Sequence, residues 1–462
     1  MNLFKRAGSI FKERGPVDLG NGNVMTAIIR LALPTIATML FHTTFNLVDT
    51  IFISWLGEGH MVAISYTFPV LIGVFAVIEG TGSGITALVG RRLGEGSEKE
   101  AQRTATSGLA FAYLLCLVWI PFLFPSVSDA FFRSLGATDP EILHQAWLYN
   151  MWVPPTVVLI NFSYVTNSIF RCQGNTIVPL KFFLISNGLN FVLDPIFIFT
   201  FGWGMTGAAA ATFVGRLVGM LYLIKTLRTS SKIKLDVITL PQRNMVKTWF
   251  EITAIGLPVA LTTASVAFGM GGINKMLTNT YGNVAVAGWM MGLRIEDLAF
   301  NTVMGVSQSL VPFLAFNYGM RNYQRMREGI ISAFKLSFAI TLTMGLLICI
   351  FPHPFTALFN PSEAIANAAV RVIRISISGY PFVLLNVVFN SLFIATGHTL
   401  YGLVVQISRN MLRVPAAWFL AGFVSINWIW LFQPLTFAAS SIFTVIFAFM
   451  LMRRLRRELG ER

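Results

Sequence analysis

Apolar segments long enough to cross a lipid bilayer recur along the whole chain. A membrane-spanning helix needs about 20 mostly apolar residues, and we find about twelve such segments, at residues 27–55, 60–90, 101–125, 143–169, 178–201, 205–227, 249–277, 284–314, 329–351, 366–395, 400–422 and 427–452. Hydrophobic residues make up 55% of the 462 positions and charged residues only 12%, which excludes a water-soluble domain of this length. The sequence therefore predicts an all-α polytopic membrane protein.

The basic residues predict the orientation of these helices. If both termini are cytoplasmic, most of the 34 lysines and arginines fall in cytoplasmic segments, and the external loops keep only Arg133. Such a bias favours an even number of helices with both termini inside. We attribute the net charge of +14 to orientation and to anionic lipid headgroups, and we expect no nucleic-acid partner. The expected location is the inner or plasma membrane of the cell.

The second half of the chain repeats the first. The stretch "NSIFRCQGNTIVPL" (167–180) matches "NSLFIATGHTLYGL" (390–403), and Leu33-Pro34 matches Leu257-Pro258, all at an offset of about 223 residues. The repeat predicts two pseudo-symmetric six-helix bundles that run parallel to each other. The predicted organisation is a cytoplasmic N-terminal segment (1–23), an N-lobe (24–227), a cytoplasmic linker (228–248), a C-lobe (249–452) and a basic cytoplasmic tail (453–462).

Polar residues recur on one face of the fifth predicted helix. Asn187, Asn190 and Asp194 are spaced i, i+3 and i+7, which places them on the same side of a helix. An ionisable group in hydrocarbon costs roughly 2.5–3.5 kcal/mol, so this face should turn towards other helices or a water-filled cavity. A carboxylate that takes up a proton on one side of the membrane and releases it on the other is what proton coupling requires. We therefore predict a coupling site at Asn190 and Asp194, with Asn187 as a secondary candidate.

Neighbouring predicted helices supply further candidates, namely Asp49 in the first, Asn167 in the fourth and Thr212 in the sixth. Neither Asp49 nor Asp194 has an acid at its repeat-related position, so packing of the shared architecture does not require them. A structural role stays open for both. An aspartate before a proline, as at Asp194-Pro195, often forms a turn or caps a kinked helix, and Asp49 near its helix end would be stable as a solvated carboxylate.

Four other charged residues are secondary candidates. Arg216 lies four residues after Thr212 and would suit a counter-ion to an acid. Arg294 and Asp297 are spaced i, i+3, beside Glu296, and such a pair is expected to neutralise itself. Glu79 precedes the small-residue run "GTGSG" (80–84), which favours close helix packing.

Three stretches together carry a family resemblance: "LALPTIATMLFHTTFNLVDTIFISWLG", "GLNFVLDPIFIF" and "GMTGAAAAT". The chain resembles the multidrug and toxic compound extrusion (MATE) family, most closely its DinF-like branch, over about residues 24–452. The resemblance implies two six-helix bundles around an efflux cavity and exchange of H⁺ or Na⁺ for lipophilic, usually cationic compounds. It also implies a cation or proton site at Asp49, Asn190, Asp194 and Thr212, with Asn167 adjacent. It further implies a hinge in the first helix at Pro34.

The departures from the family pattern bear on the coupling ion. Members with a C-lobe cation site carry acids in the seventh and tenth helices, whereas here the seventh has none and the tenth offers Asn386 and Asn390. This difference favours H⁺ coupling in the N-lobe, with Na⁺ at the same residues as the alternative.

The sequence thus predicts a secondary active antiporter for small lipophilic or cationic molecules, acting as a monomer among membrane lipids without a cofactor. The runner-up is a lipid-linked oligosaccharide or lipid flippase of the same superfamily, for which Arg216, Arg294 and Arg413 would face a pyrophosphate. An intramembrane enzyme is less favoured, because the five histidines lack metal-ligand spacing and no H-E-x-x-H motif is present. No P-loop motif indicates nucleotide drive.

Overall fold

The computed structural model describes residues 15–56, 58–235, 242–357, 359, 361–423 and 428–460, which form α-helices and contain no β-strand. In chain order the α-helices are α1 (Val24–Ser54), α2 (Glu58–Gly94), α3 (Glu98–Cys116), α4 (Pro125–Ser134), α5 (Pro140–Asn150), α6 (Val153–Cys172), α7 (Ile177–Pro195), α8 (Gly204–Ser230), α9 (Val246–Tyr281), α10 (Asn283–Gly319), α11 (Tyr323–Ile350), α12 (Pro352–Ala357), α13 (Glu363–Ser376), α14 (Tyr380–Ala395), α15 (Thr399–Ala421) and α16 (Phe432–Leu459). Short 3₁₀ segments occupy Leu117–Leu123, Arg243–Met245, Ile377–Gly379 and Ile429–Leu431, and a π-helical turn occupies Ile196–Thr200.

Ten stretches of the described chain are long and apolar enough to cross a membrane, which confirms the prediction of an all-α polytopic protein. They correspond to ten of the predicted segments. The segments predicted at 143–169 and 400–422 contain α6 and α15, which are 20 and 23 residues long. Both carry polar side chains, such as Asn161 in α6 and Arg409 in α15, and these lower their mean hydropathy.

The chain folds into two compact units. We call them the N-unit, whose described residues lie within Gly15–Val17 and Ala37–Ala260, and the C-unit, whose described residues lie within Asp18–Ile36 and Leu261–Arg462. The division falls inside α1 and α9 rather than in the 228–248 linker, two residues after Pro34 and Pro258 respectively. A proline inside a helix lacks the N–H that would bond the preceding turn, so these two points are where each helix can most easily change direction. The lobe boundaries of the sequence analysis stay a prediction.

In the N-unit, glycines let α2 lie directly against the first part of α9. A Cβ atom on Gly80 would stand 2.5 Å from the carbonyl oxygen of Gly256, and a Cβ on Gly256 would stand 2.5 Å from that of Gly80. Gly84 is similarly close to Ile252, at 2.7 Å from its carbonyl oxygen. No larger residue fits such approaches without a backbone shift. The expectation that the small run at 80–84 permits close helix packing is confirmed.

The C-unit is built around α10, which packs against α11, α13 and α14. Its core contains large aromatic side chains, including the fully buried Trp289, whose indole stacks on that of Trp430 with ring centroids 6.0 Å apart. Hydroxyl groups add a polar link between helices: Ser307 of α10 and Ser391 of α14 lie 2.6 Å apart, oxygen to oxygen. The unit is therefore held by close packing with polar contacts embedded in it.

The segment that precedes α1 is fixed by one arginine of the C-unit. The buried guanidinium of Arg325, in the first turn of α11, donates to the carbonyl oxygens of Leu19 (3.0 Å), Gly22 (2.8 Å) and Asn21 (2.6 Å). The side-chain amide of Asn317 also donates to the Leu19 carbonyl, at 3.0 Å. Residues 1–14 of the predicted N-terminal segment lie outside the described residues.

Candidate functional site

The centre of the predicted site lies at the end of α7. This helix carries Asn187, Asn190 and Asp194 and ends at Pro195, after which the chain continues as the π-helical turn Ile196–Thr200. Asp194 is only 1% exposed. A carboxyl group buried in a membrane helix is costly unless polar groups surround it. The hydrogen bonds that it makes are therefore the key to its role.

Asn190 links Asp194 to the next helix. Its side-chain amide donates to Asp194 Oδ1 at 2.9 Å and to Thr212 Oγ1, on α8, at 3.4 Å. The Thr212 hydroxyl in turn donates to the carbonyl oxygen of Ala208 at 3.1 Å. An amide has two N–H donors, so both bonds of Asn190 can form together. The structure thus joins Thr212, which the sequence analysis selected on another helix, to the pair Asn190 and Asp194.

Small residues of α8 allow this contact, and the sequence analysis did not select them. A Cβ on Gly215 would stand 2.5 Å from the Ser186 carbonyl oxygen and 3.3 Å from the Cβ of Asn190. One on Gly207 would stand 2.7 Å from the carbonyl oxygen of Phe197, in the π-helical turn. Glycines and alanines let the two backbones approach until Asn190 reaches Thr212. The available signal was the spacing of Gly207, Gly215 and Gly219 along α8.

The other predicted N-lobe residues have different surroundings. Asn187 is buried one turn before Asn190. Asn167 of α6 is also buried, and within the described residues its Oδ1 has no hydrogen-bond partner and its side chain is not bonded to Asp194. Asp49 falls within α1, but its side chain lies outside the described residues. Pro34 lies in the interior of α1, as predicted for a hinge, although its movement stays a prediction.

The secondary candidates Arg216 and Glu79 contact aromatic side chains. The guanidinium carbon of Arg216 lies 5.8 Å from the ring centroid of Phe183, which also meets the His42 ring edge-on at 6.0 Å. Arg216 has no ion pair within the part of the chain that the structure describes, so its cation rests on an aromatic face. Glu79 interacts electrostatically with the half-buried phenol of Tyr164.

In the C-unit, Arg294 and Asp297 lie on α10 and interact electrostatically, but they form no direct ion pair among the described residues. Their neighbour Glu296 is buried and accepts a hydrogen bond at 2.9 Å from the side-chain amide of Gln433. Sequence reasoning missed this pair, since no periodic pattern relates residues 137 positions apart.

Comparison with known proteins connects this geometry to a transporter family. The MatE family model matches the chain twice, at residues 34–196 and 253–419, so one copy falls in each half. The chain belongs to the MatE family. The resemblance to MATE transporters is thereby confirmed, and the double match agrees with the internal repeat. The DinF-like branch stays a prediction.

Individual relatives agree with this assignment. The chain is 26% identical to the multidrug export protein MepA of Staphylococcus aureus (strain MRSA252), over 85% of this chain and 86% of MepA. It is equally similar, at 26%, to a FAD transporter of Shewanella oneidensis, over 83% of this chain and 85% of the relative. A crystal structure of MATE in complex with MaL6 has a TM-score of 0.89 at 26% identity and covers 96% of this chain and 99% of that chain. The chain described here is therefore a multi-pass membrane transporter for small molecules and is not an enzyme, as predicted.

Proposed function

We propose that this MATE transporter exports lipophilic cationic compounds in exchange for H⁺, and that Asp194 is the group that binds the coupling proton. The observation that carries the proposal is the burial of the Asp194 carboxyl group in a membrane helix, with Asn190 donating to it at 2.9 Å. Membership of the MatE family supports efflux transport, and Asp194 supplies a titratable group within the N-unit.

The hydrogen bonds around Asp194 suit both of its protonation states. As a carboxylate it accepts from Asn190, and as a neutral acid it keeps a carbonyl oxygen that can still accept. Protonation removes the charge and with it most of the cost of placing the group in hydrocarbon. The free-energy difference between the charged and the neutral acid therefore depends on the polarity of its surroundings. A change in helix packing that alters this polarity can drive proton uptake and release.

The proposed response is a rearrangement of α1 around Pro34. Neutralising Asp194 would let the N-unit helices repack and expel the substrate, and deprotonation towards the cytoplasm would reset the site. A proton gradient equivalent to 100 mV supplies about 2.3 kcal/mol for each proton that enters, which is enough for modest outward concentration of substrate. We place the transporter in the plasma membrane as a monomer, with both termini cytoplasmic and with lipids around it.

Two alternatives enter the same test. Na⁺ would bind at Asp49, Asn190, Asp194 and Thr212 instead of a proton. The relative described as a FAD transporter, no less similar than MepA, favours an organic anion as a second substrate class. Buried arginines such as Arg413 are the groups that would accompany such an anion.

The experiment follows export of a fluorescent lipophilic cation, and in parallel of a flavin dinucleotide, from proteoliposomes under an imposed pH gradient, an imposed Na⁺ gradient, or neither. Wild type is compared with Asp194→Asn, which keeps the size of the side chain and an oxygen acceptor for Asn190 but cannot be deprotonated. Glu141→Gln, an exposed acid of α5 in the same unit, is the matched control.

We expect pH-driven export by wild type and Glu141→Gln and none by Asp194→Asn. Unchanged export by a folded Asp194→Asn protein would refute Asp194 as the coupling residue. Export that follows only the Na⁺ gradient would show that Na⁺, and not H⁺, is the coupling ion. Transport of a flavin dinucleotide but not of the cation would show that the substrate is an organic anion.

A further inference from the structure

A second buried acid, Glu296, lies in the C-unit. It is 6% exposed and belongs to α10, which is long and apolar enough to span a bilayer. Its Oε2 accepts from the Gln433 amide at 2.9 Å, while its Oε1 has no hydrogen-bond partner among the described residues. The described part of the chain offers it no direct ion pair. A buried carboxyl oxygen without a partner requires a physical explanation.

Other buried polar atoms without partners surround this carboxyl group. The Ser376 hydroxyl, at the end of α13, lies beside it, and the Tyr380 phenol at the start of α14 interacts with it electrostatically. Among the described residues, the Tyr380 hydroxyl oxygen has no hydrogen-bond partner, and nor does Gln433 Oε1. A hydroxyl can donate to a carboxylate or accept from a carboxylic acid. The cluster can therefore satisfy Glu296 in either protonation state.

Nearby charges also allow both states. Arg413 of α15 interacts electrostatically with Glu296, and its guanidinium carbon lies 5.7 Å from the ring centroid of Trp289. The cation thus balances a carboxylate and keeps an aromatic partner when Glu296 is neutral. On the other helices packed against α10, Arg371 and Arg374 of α13 and Lys335 of α11 have exposed side chains.

A proton can reach the cluster through the adjacent acid. Asp297 follows Glu296 on α10 and is exposed, and an ionisable side chain on a helix that crosses a membrane is expected to face water rather than lipid. Tyr380 interacts with both acids. Its hydroxyl is a group of the kind that relays a proton between an exposed carboxylate and a buried one.

We propose that Glu296 is a second proton-binding site of this transporter, loaded through Asp297. Glu296 takes up one proton as a carboxylate and becomes a neutral carboxylic acid that Gln433 still bonds, with the hydroxyls of Ser376 and Tyr380 beside it. The consequence for transport rests on the proposed function: the protein would exchange one more proton per cycle than Asp194 alone provides. Proton binding itself does not depend on that function.

The first test measures protonation directly. Infrared difference spectra of the purified protein in lipid nanodiscs, low pH minus high pH, report the C=O stretch of each carboxylic acid that forms. We expect one such band to disappear in Glu296→Gln and to remain in Glu363→Gln, an exposed acid of α13. Gln433→Leu removes the donor to Oε2 and should shift the same band to higher frequency. Spectra of both Glu296→Gln and Gln433→Leu that match wild type would overturn the proposal, and the second variant decides if the first does not fold.

The second test counts protons per exported cation in proteoliposomes. Glu296→Gln should lower the count by one proton, while Glu363→Gln leaves it unchanged; an unaltered count in Glu296→Gln would remove Glu296 from coupling. If the wild type shows no proton-driven export, the proposed function fails, and the infrared band still decides whether Glu296 binds a proton.

Discussion

Replacing Arg325 by methionine should release the segment that precedes α1. The three carbonyl bonds of Arg325 hold residues 19–22, and methionine keeps the apolar stem without the donors. A hydrogen bond from a charged donor contributes about 1.5–3 kcal/mol, but Asn21 and Gly22 are exposed and their carbonyls can bond water instead. The bond to the buried Leu19 carbonyl contributes most of its free energy, because water cannot replace it. We therefore expect local opening to become easier by about 3 kcal/mol in total.

The measurement is amide hydrogen exchange of peptides that cover residues 17–27, in detergent or nanodiscs. About 3 kcal/mol corresponds to roughly a hundredfold faster exchange, because each 1.4 kcal/mol is a factor of ten. Val17, whose amide donates to the Gly174 carbonyl at 2.9 Å, and Ala27, whose amide donates to Asn23, are suitable reporters. Arg327→Met changes an exposed arginine of the same helix and should leave exchange unaltered.

Exchange in Arg325→Met that matches the Arg327→Met control would show that the guanidinium contributes nothing to this segment. An intermediate effect would implicate Asn317, which holds the same Leu19 carbonyl. The double variant Arg325→Met, Asn317→Ala should then reach the full hundredfold acceleration.

Three further predictions concern single residues. Gly215→Leu should separate α8 from α7, reduce transport at least tenfold and destabilise the protein by about 1–3 kcal/mol, measured by export and by thermal unfolding. Asn190→Ala removes the donor to Asp194 and should abolish coupled export with a stability loss of about 1.5–3 kcal/mol; wild-type export would contradict the role of this bond. Burial raises the pKa of Asp18, but hydrogen bonds, chiefly from Asn21, outweigh it and hold the pKa below its usual value. The carboxylate therefore stabilises the fold above the unfolded pKa of about 3.9, and this small gain is lost as the pH falls further, so the stability difference from Asp18→Asn should shrink below about pH 4.

The membrane class, the repeat and the centre of the site could be predicted from the sequence, because each is a local or repeated pattern. Hydrophobic segments of bilayer length can be recognised from the local composition of the chain alone. The spacing of Asn190 and Asp194 places them on one helix face, and the structure joins them by a hydrogen bond. Helical periodicity relates residues within a few turns, and this pair lies within that range.

Contacts between distant parts of the chain were decided only by the tertiary structure. Glu296 meets Gln433 across 137 residues, and Arg325 reaches Leu19 across 306, and no periodicity reports such pairs. The division of α1 and α9 between two units likewise depends on which neighbours each half of a helix finds. A sequence states which side chains share a face, since that follows from backbone geometry. Which faces then meet is fixed by the packing of whole helices, where a single glycine such as Gly215 sets how closely two backbones approach.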